Sequence, residues 1–352
     1  MNHDSRSRPD AFEIAGHRVA PGTRGRVAIP VSDLSTGAPV HLPVQVIHGV
    51  RPGPAVFVSA ALHGDEIIGT EIIRRLAPKV SPRRLSGTLL LVPVVNVFGF
   101  VTHSRYLPDR RDLNRSVPGS AEGPLASQLA HLFHREIIAR CSVGIDIHSA
   151  AQHRYNLPQI RIAEGDPALT ELALVFGAPA VIETPLREGS LREIAKHAGV
   201  SMLLMETGEA LRFDETSVRA GVSGVLRVLT HLGMIRTRRL SRPVAQPARS
   251  NRTAWLRAPV GGLCRLKVQS GSFVAEDQTV AVVGDMFGQG ERAVTSPFEG
   301  IVIGHSNLPV VNQGDAVLHV ARVRSAERVE GHVERITDAL LEDRMLDEDE
   351  VI

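Results

Sequence analysis

Cysteine, lysine and the larger aromatics are all scarce in this chain, and each shortage closes off a class of function. The two cysteines, Cys141 and Cys264, lie far apart and form no metal-binding or redox spacing. Both read as small buried hydrophobes, the usual state of a free cysteine. Lysine occurs only at positions 79, 196 and 267, so the cations are arginines, scattered and nearly balanced to a net charge of +2. One tryptophan and two tyrosines cannot build a basic stripe interleaved with aromatics, which is the footprint of a nucleic-acid surface. Nucleic acid is not an expected partner.

Long hydrophobic runs are missing too. The best of them, TLLLVPVVNVFGFV, is broken by proline and asparagine and falls short of the roughly 20 apolar residues that span a bilayer. No membrane association is expected. The amino-terminal MNHDSRSRPDAFEIAG has no apolar core, so no secretory signal is visible, and a reducing cytoplasm is the expected setting.

What is present is an alternation of two patterns. Segments 55–60, 88–95, 143–147 and 200–205 are apolar without strict alternation, as in strands buried on both faces. Helical patterns lie between them. GPLASQLAHLFHREIIARC spaces Leu125, Leu129, Leu132, Phe133 and Ile137 at helical intervals. DPALTELALVFGA opens on an Asp cap and a proline and closes at glycine, and SLREIAKHAG repeats that grammar. The expected fold is α/β: a mixed, largely parallel sheet flanked by helices. At 352 residues the chain has room for two domains.

The style changes near residue 240. Residues 1–240 are expected to form the first domain, with about 15 flexible residues at the start. An arginine- and proline-rich linker over 241–253 follows. Two similar segments come next, beginning at Ala258 and Ser296, each a Pro-x-x-Gly turn, a strand, a glycine turn and a second strand. This repeat over 254–325 resembles the biotinyl/lipoyl barrel-sandwich, an all-β unit. Carrier members of that fold have a lysine on the hairpin between the halves, whereas GDMFGQGE has none, so no covalent cofactor is expected. Residues 326–352 read as a charged, solvated tail.

Polar residues cluster where the apolar strands stop. AVFVSAALHGDEIIGTEIIRRL passes from strand to helix through His63, Asp65 and Glu66; VGIDIHSA ends on Asp146 and His148; VSMLLMETGEALRF carries Glu206, with Glu209 as a competing carboxylate. In α/β sheets, ligands gather beyond these carboxyl ends. Two histidines and a glutamate suit zinc in a hydrolase, and Asp146 is placed to orient His148. The same residues could equally be hydrogen-bonded strand ends. The loop SRYLPDRRDLNRSVPGS adds Asp112, Asn114 and Arg115, donors suited to a carboxylate, while Arg110 and Arg111 read as solvated.

His63-Gly-Asp-Glu66, Asp112-Leu-Asn114-Arg115, Asp146-Ile-His148 and Glu206-Thr-Gly208, in this order, resemble the succinylglutamate desuccinylase/aspartoacylase family of zinc carboxypeptidase-like hydrolases. The resemblance spans about residues 45–325. It implies one zinc per subunit held by His63, Glu66 and His148, with Glu206 as the catalytic base and acid. It further implies that Asn114 and Arg115 grip a substrate carboxylate and that Arg105 polarises the scissile carbonyl, with extra residues between Arg105 and Asp112. Ser149 stands where the family often has threonine, and Asp65 is expected to support its turn.

The implied activity is deacylation of a small N-acyl amino acid or related N-acyl amine. The alternatives are a metallocarboxypeptidase acting on short peptides and a non-catalytic zinc-binding protein. Specificity is expected around Arg154, Tyr155, Arg161 and Arg187, with HRYNLPQIR as a pocket wall. The acyl group is not legible, and a homo-oligomer is compatible with the sequence.

Overall fold

The computed structural model describes residues 9–237, 245–323 and 326–342. Residues 1–8 of the amino-terminal stretch expected to be flexible lie outside these. Ordered structure starts with a small hairpin of β1 (Phe12–Ile14) and β2 (His17–Val19). A longer hairpin follows, β3 (Thr23–Asp33) and β4 (Pro39–His48). The chain then alternates: β5 (Arg51–Ala60), α1 (Ile68–Leu76), β6 (Ser86–Val92), α2 (Val97–Thr102), α3 (Leu125–Glu136) and β7 (Val143–Ala150). It continues through β8 (Arg154–Ala163), α4 (Pro167–Phe176), β9 (Ala180–Thr184), α5 (Leu191–His197), β10 (Ser201–Glu209) and α6 (Glu215–His231).

The centre of the sheet is parallel, in the order β6, β5, β7, β10, and antiparallel strands extend it on both sides. Its central strands are apolar on both faces because helices cover both. One core joins them to α1, α4 and α6, the other to α2, α3 and α5. Small residues set the close approaches. A Cβ at Gly144 would lie 2.3 Å from the Phe57 ring, and one at Gly224 would lie 2.2 Å from the Phe176 ring. The caps read from the sequence are formed: Asp166 accepts from the Leu169 amide at 3.0 Å, and α4 ends on Gly177 with φ of 76°. No described helix is long and apolar enough to cross a membrane.

The carboxy-terminal region holds β11 (Ala248–Ser250), β12 (Thr253–Arg257), β13 (Gly262–Leu266), β14 (Phe273–Val274), β15 (Thr279–Gly284) and β16 (Arg292–Thr295). β17 (Gly300–Ser306), β18 (Val310–Val311), β19 (Ala316–Arg322) and α7 (Ala326–Glu342) complete it. The repeat is visible in the pairing. The short strand of each half bonds to the other half, β14 to β17 and β18 to β13. The region is not detached: β17 pairs with β8, so β17, β19 and β12 prolong the main sheet. Within the stretch read as a linker, 241–244 lie outside the described residues, while β11 pairs with β9. α7, in the stretch read as a solvated tail, buries Val333, Ile336 and Leu340, a helical spacing that its charge obscures. Residues 343–352 lie outside the described residues.

Candidate active site

β5 ends at Ala60, and the turn into α1 brings His63 and Glu66 face to face. The Glu66 amide donates to the His63 carbonyl at 3.1 Å, closing the turn. Gly64 is required there, since a Cβ would lie 2.0 Å from the backbone of Gly99 in α2. Asp65 supports the turn through its main chain, its carbonyl accepting from the Leu211 amide at 2.9 Å. On the adjacent parallel strand β7, His148 points to the same place. Glu66 bridges the two rings, with Oε1 2.7 Å from His63 Nδ1 and Oε2 2.7 Å from His148 Nδ1. All three residues are buried, and their donor atoms lie within 4.8 Å of one another.

The far nitrogen of each ring is held by a carboxylate. His148 Nε2 lies 2.6 Å from Asp146, itself fixed by the Ser59 hydroxyl at 2.6 Å. His63 Nε2 lies 3.2 Å from Asp112, whose Oδ1 also accepts from the Asn114 amide at 2.9 Å. Asp112 therefore ties the Asp-Leu-Asn-Arg turn to the histidine. Such carboxylates fix ring orientation and make the opposite nitrogen a better donor to a metal. Burial opposes ionisation of Glu66, yet the two imidazoles overcome it and hold its carboxyl below the usual range. Burial likewise opposes charge on His148, but Asp146 and Glu66 raise its pKa well above the ordinary histidine value. Two nitrogens and one carboxylate converging in a buried, acid-flanked nook fit a divalent cation of zinc's kind.

Arg105 lies against this cluster, donating to Glu66 at 3.1 Å and to Asp112 at 2.9 Å. Its loop is held by the buried Asn96, which caps α2 and donates to the Arg105 carbonyl at 3.2 Å. Asn114 accepts from the Leu191 amide at 2.9 Å, which leaves its NH₂ group to donate elsewhere. Arg115 is exposed beside it.

Glu206 stands opposite His148 in the β10–β7 register and accepts from Asn156 at 2.9 Å. Glu209 faces away, taken up by the His153 amide at 3.0 Å and by Asn307 at 2.8 Å. A cavity of about 570 Å³ is lined by His63, Glu66, His148, Glu206, Asn114, Arg115 and Arg105 together. Arg154, Tyr155, Arg161 and Arg187 line it too.

Sequence reasoning missed the rest of the wall. Arg192, Trp255, His305 and His319 all face the cavity, the last three from the carboxy-terminal strands, and Asn156 faces it from within the expected HRYNLPQIR wall. His319 stacks on Trp255 with ring centres 4.1 Å apart, and Arg154 lies 5.4 Å from the Trp255 ring centre. Burial, and then Arg161, push the His319 imidazole down to about 3. Burial and the nearby Arg161 and Arg187 hold Arg192 down at about 10. Only the lone tryptophan was a signal in the sequence, since nothing local distinguishes the others.

Residues 52–232 match the sequence model of the succinylglutamate desuccinylase/aspartoacylase catalytic domain. The chain belongs to this family. A relative is the N-alpha-acetyl-L-2,4-diaminobutyric acid deacetylase of Halomonas elongata, 26% identical over 312 residues, covering 85% of this chain and 91% of the relative. The crystal structure of a succinylglutamate desuccinylase/aspartoacylase from Rhodobacter sphaeroides superposes with a TM-score of 0.74 at 26% identity, covering 86% and 96% of the two chains. The product-bound ectoine utilization protein EutE (DoeB) of Ruegeria pomeroyi shares the fold, with a TM-score of 0.76 at 23% identity and coverages of 85% and 95%. Family membership places the chain among amide hydrolases of the deacylase kind.

Proposed function

We propose that the chain is a zinc-dependent deacylase that hydrolyses a small N-acyl amino acid to a carboxylate and a free amine. One observation carries this reading: His63, Glu66 and His148 converge beside Glu206 at the wall of a single cavity. A zinc ion held by those three residues, one per subunit, would supply the Lewis acidity that makes water nucleophilic near neutrality and polarises an amide carbonyl. The remaining work falls to this chain's own groups. Glu206, held through Oε2 by Asn156, takes the proton from the attacking water and delivers it to the departing nitrogen as the C–N bond breaks. Arg115 and the Asn114 NH₂ group hold the substrate carboxylate, and Arg105 faces the developing oxyanion.

The charge of the cavity narrows the substrate. Six arginines line it, at 105, 115, 154, 161, 187 and 192, while Glu66 and Glu206 are the carboxylates among its described lining residues. Glu66 is committed to the histidines. The surplus favours an N-acyl amino acid with a second anionic group over one with a side-chain ammonium. The Halomonas relative's name supplies the competing reading, an acetylated diamino acid.

The test is a panel of N-acetyl and N-succinyl amino acids with acidic, neutral and basic side chains, plus N-acyl diamines and short peptides. Zinc-loaded protein and Glu206→Gln are run side by side, with products read by mass spectrometry. Acylated acidic amino acids are expected to turn over fastest, and the variant is expected to lose roughly 10²–10⁴-fold in kcat while retaining its metal. Removal of a peptide's last residue would make the protein a metallocarboxypeptidase. Silence across the panel with zinc bound would favour a non-catalytic zinc-binding protein.

A further inference from the structure

We infer that Asn156 positions Glu206, and that β17 of the carboxy-terminal region sets Asn156 through Gly304. This rests on the reading of Glu206 as the base. β10 and β8 run antiparallel, with Glu206 opposite Gln159 and Gly208 opposite Asn156. Between those pairs β10 spends one residue, Thr207, and β8 spends two, Leu157 and Pro158. In an unbroken strand, Asn156 would face away from the side on which Gln159 meets Glu206, because side chains alternate. The extra residue restores it to the Glu206 side, and the bulge contains a proline, which cannot donate to a ladder. Asn156 then donates Nδ2–H to Glu206 Oε2 at 2.9 Å from a buried position.

The other edge of Asn156 is controlled from the carboxy-terminal region. Gly304 pairs with Asn156 across the β17–β8 junction. A Cβ on Gly304 would sit 2.7 Å from Asn156 Oδ1. The missing side chain is what lets Asn156 Oδ1 sit against Gly304 while its NH₂ group donates to Glu206. Asn156 has only two rotatable side-chain bonds, so a methyl group at 304 cannot be avoided without turning the amide. Glu206 loses its tether when that happens. The carboxy-terminal region therefore contributes to base alignment as well as to the cavity wall.

The experiment compares Asn156→Ala, Gly304→Ala and the double variant in the zinc-loaded protein, with Glu206→Gln as reference. In protein labelled with ¹⁵N-asparagine, the Asn156 side-chain amide should give a slowly exchanging signal that moves in both Glu206→Gln and Gly304→Ala. Melting temperature and metal content control for folding. Each single variant should lower kcat by about 10- to 100-fold with KM within about twofold of the parent. The double variant should match Asn156→Ala alone, because Gly304→Ala acts through that amide. An amide signal indifferent to both substitutions, or kcat losses that multiply in the double variant, would overturn the inference. If Glu206→Gln is inactive while a folded Asn156→Ala turns over normally, the positioning role alone fails. If Glu206→Gln keeps full turnover, the base assignment fails and takes the positioning role with it.

Discussion

Single side chains at this site divide into those that grip and those that tune. On the proposed function Arg115 belongs to the first kind: it is exposed, and its guanidinium donates to the Asn114 carbonyl at 2.6 Å. Arg115→Gln should lower kcat/KM by roughly 30-fold, about 2 kcal/mol of charge-assisted hydrogen bonding, mostly as a rise in KM. Steady-state kinetics on the best panel substrate reads this directly, and a pure kcat loss would contradict the assignment. His319 belongs to the second. It stays neutral in the fold down to about 3, whereas the unfolded residue takes up a proton near its ordinary value of 6.5. Its contribution to stability is complete above 6.5 and fades as pH falls from 6.5 toward 3, because the unfolded state binds the proton first. Thermal melts between pH 7.5 and 4.5 should fall less steeply for His319→Gln than for the parent. At this scale the sequence was legible wherever a residue ended an apolar strand: His63, Glu66, His148 and Glu206 announced themselves as charges where apolar runs stop. Asn156 was legible only as part of the HRYNLPQIR wall, and Arg192 only as part of a helix. A strand bulge turns Asn156 toward Glu206 and a short helix presents Arg192 to the cavity, and periodicity foretells neither event.

Turns and strand ends, more than helices, determine whether the site forms. The contact of Gly64 with Gly99 fixes how the turn between β5 and α1 lies on α2, and with it the convergence of His63 and Glu66. Gly64→Ala should cost on the order of 3 kcal/mol of stability through backbone overlap. It should also weaken metal binding, readable by urea denaturation and competitive chelation. An unchanged metal affinity in the folded variant would show that the turn has slack. The buried parallel strands and the capped helices were readable because burial on both faces and cap chemistry are local properties. β3 and β8 were harder. β3 is an edge strand with Val27 and Ile29 as its buried apolar positions, and β8 carries Pro158 mid-strand, a residue that argues against a central strand until its bulge is seen.

The largest surprise is continuity. A change of composition near residue 240 suggested a second domain after a linker, and hydrogen bonding carries one sheet across that boundary, from β3 to β12. Composition reports solvent exposure and chain flexibility; it does not report which edge a later strand will join. Ending the chain after residue 247 would strip β17 from β8 and expose an unpaired edge, a template for aggregation. The truncated protein is expected to aggregate on size-exclusion chromatography, and a monodisperse, metal-binding fragment would show that the first unit stands alone.

The junction of β8 and β17 also has a consequence in time. A ribosome delivers residues in order, so the proposed metal ligands His63, Glu66 and His148 emerge long before Gly304, Trp255 and His319. While the last strands are still in the exit tunnel, a nascent chain lacks the cavity wall that Trp255, His305 and His319 supply and lacks Gly304 beside Asn156. On the proposed function, the complete cavity is available only once synthesis has passed β19, and a prematurely terminated chain is expected to turn over its substrate poorly.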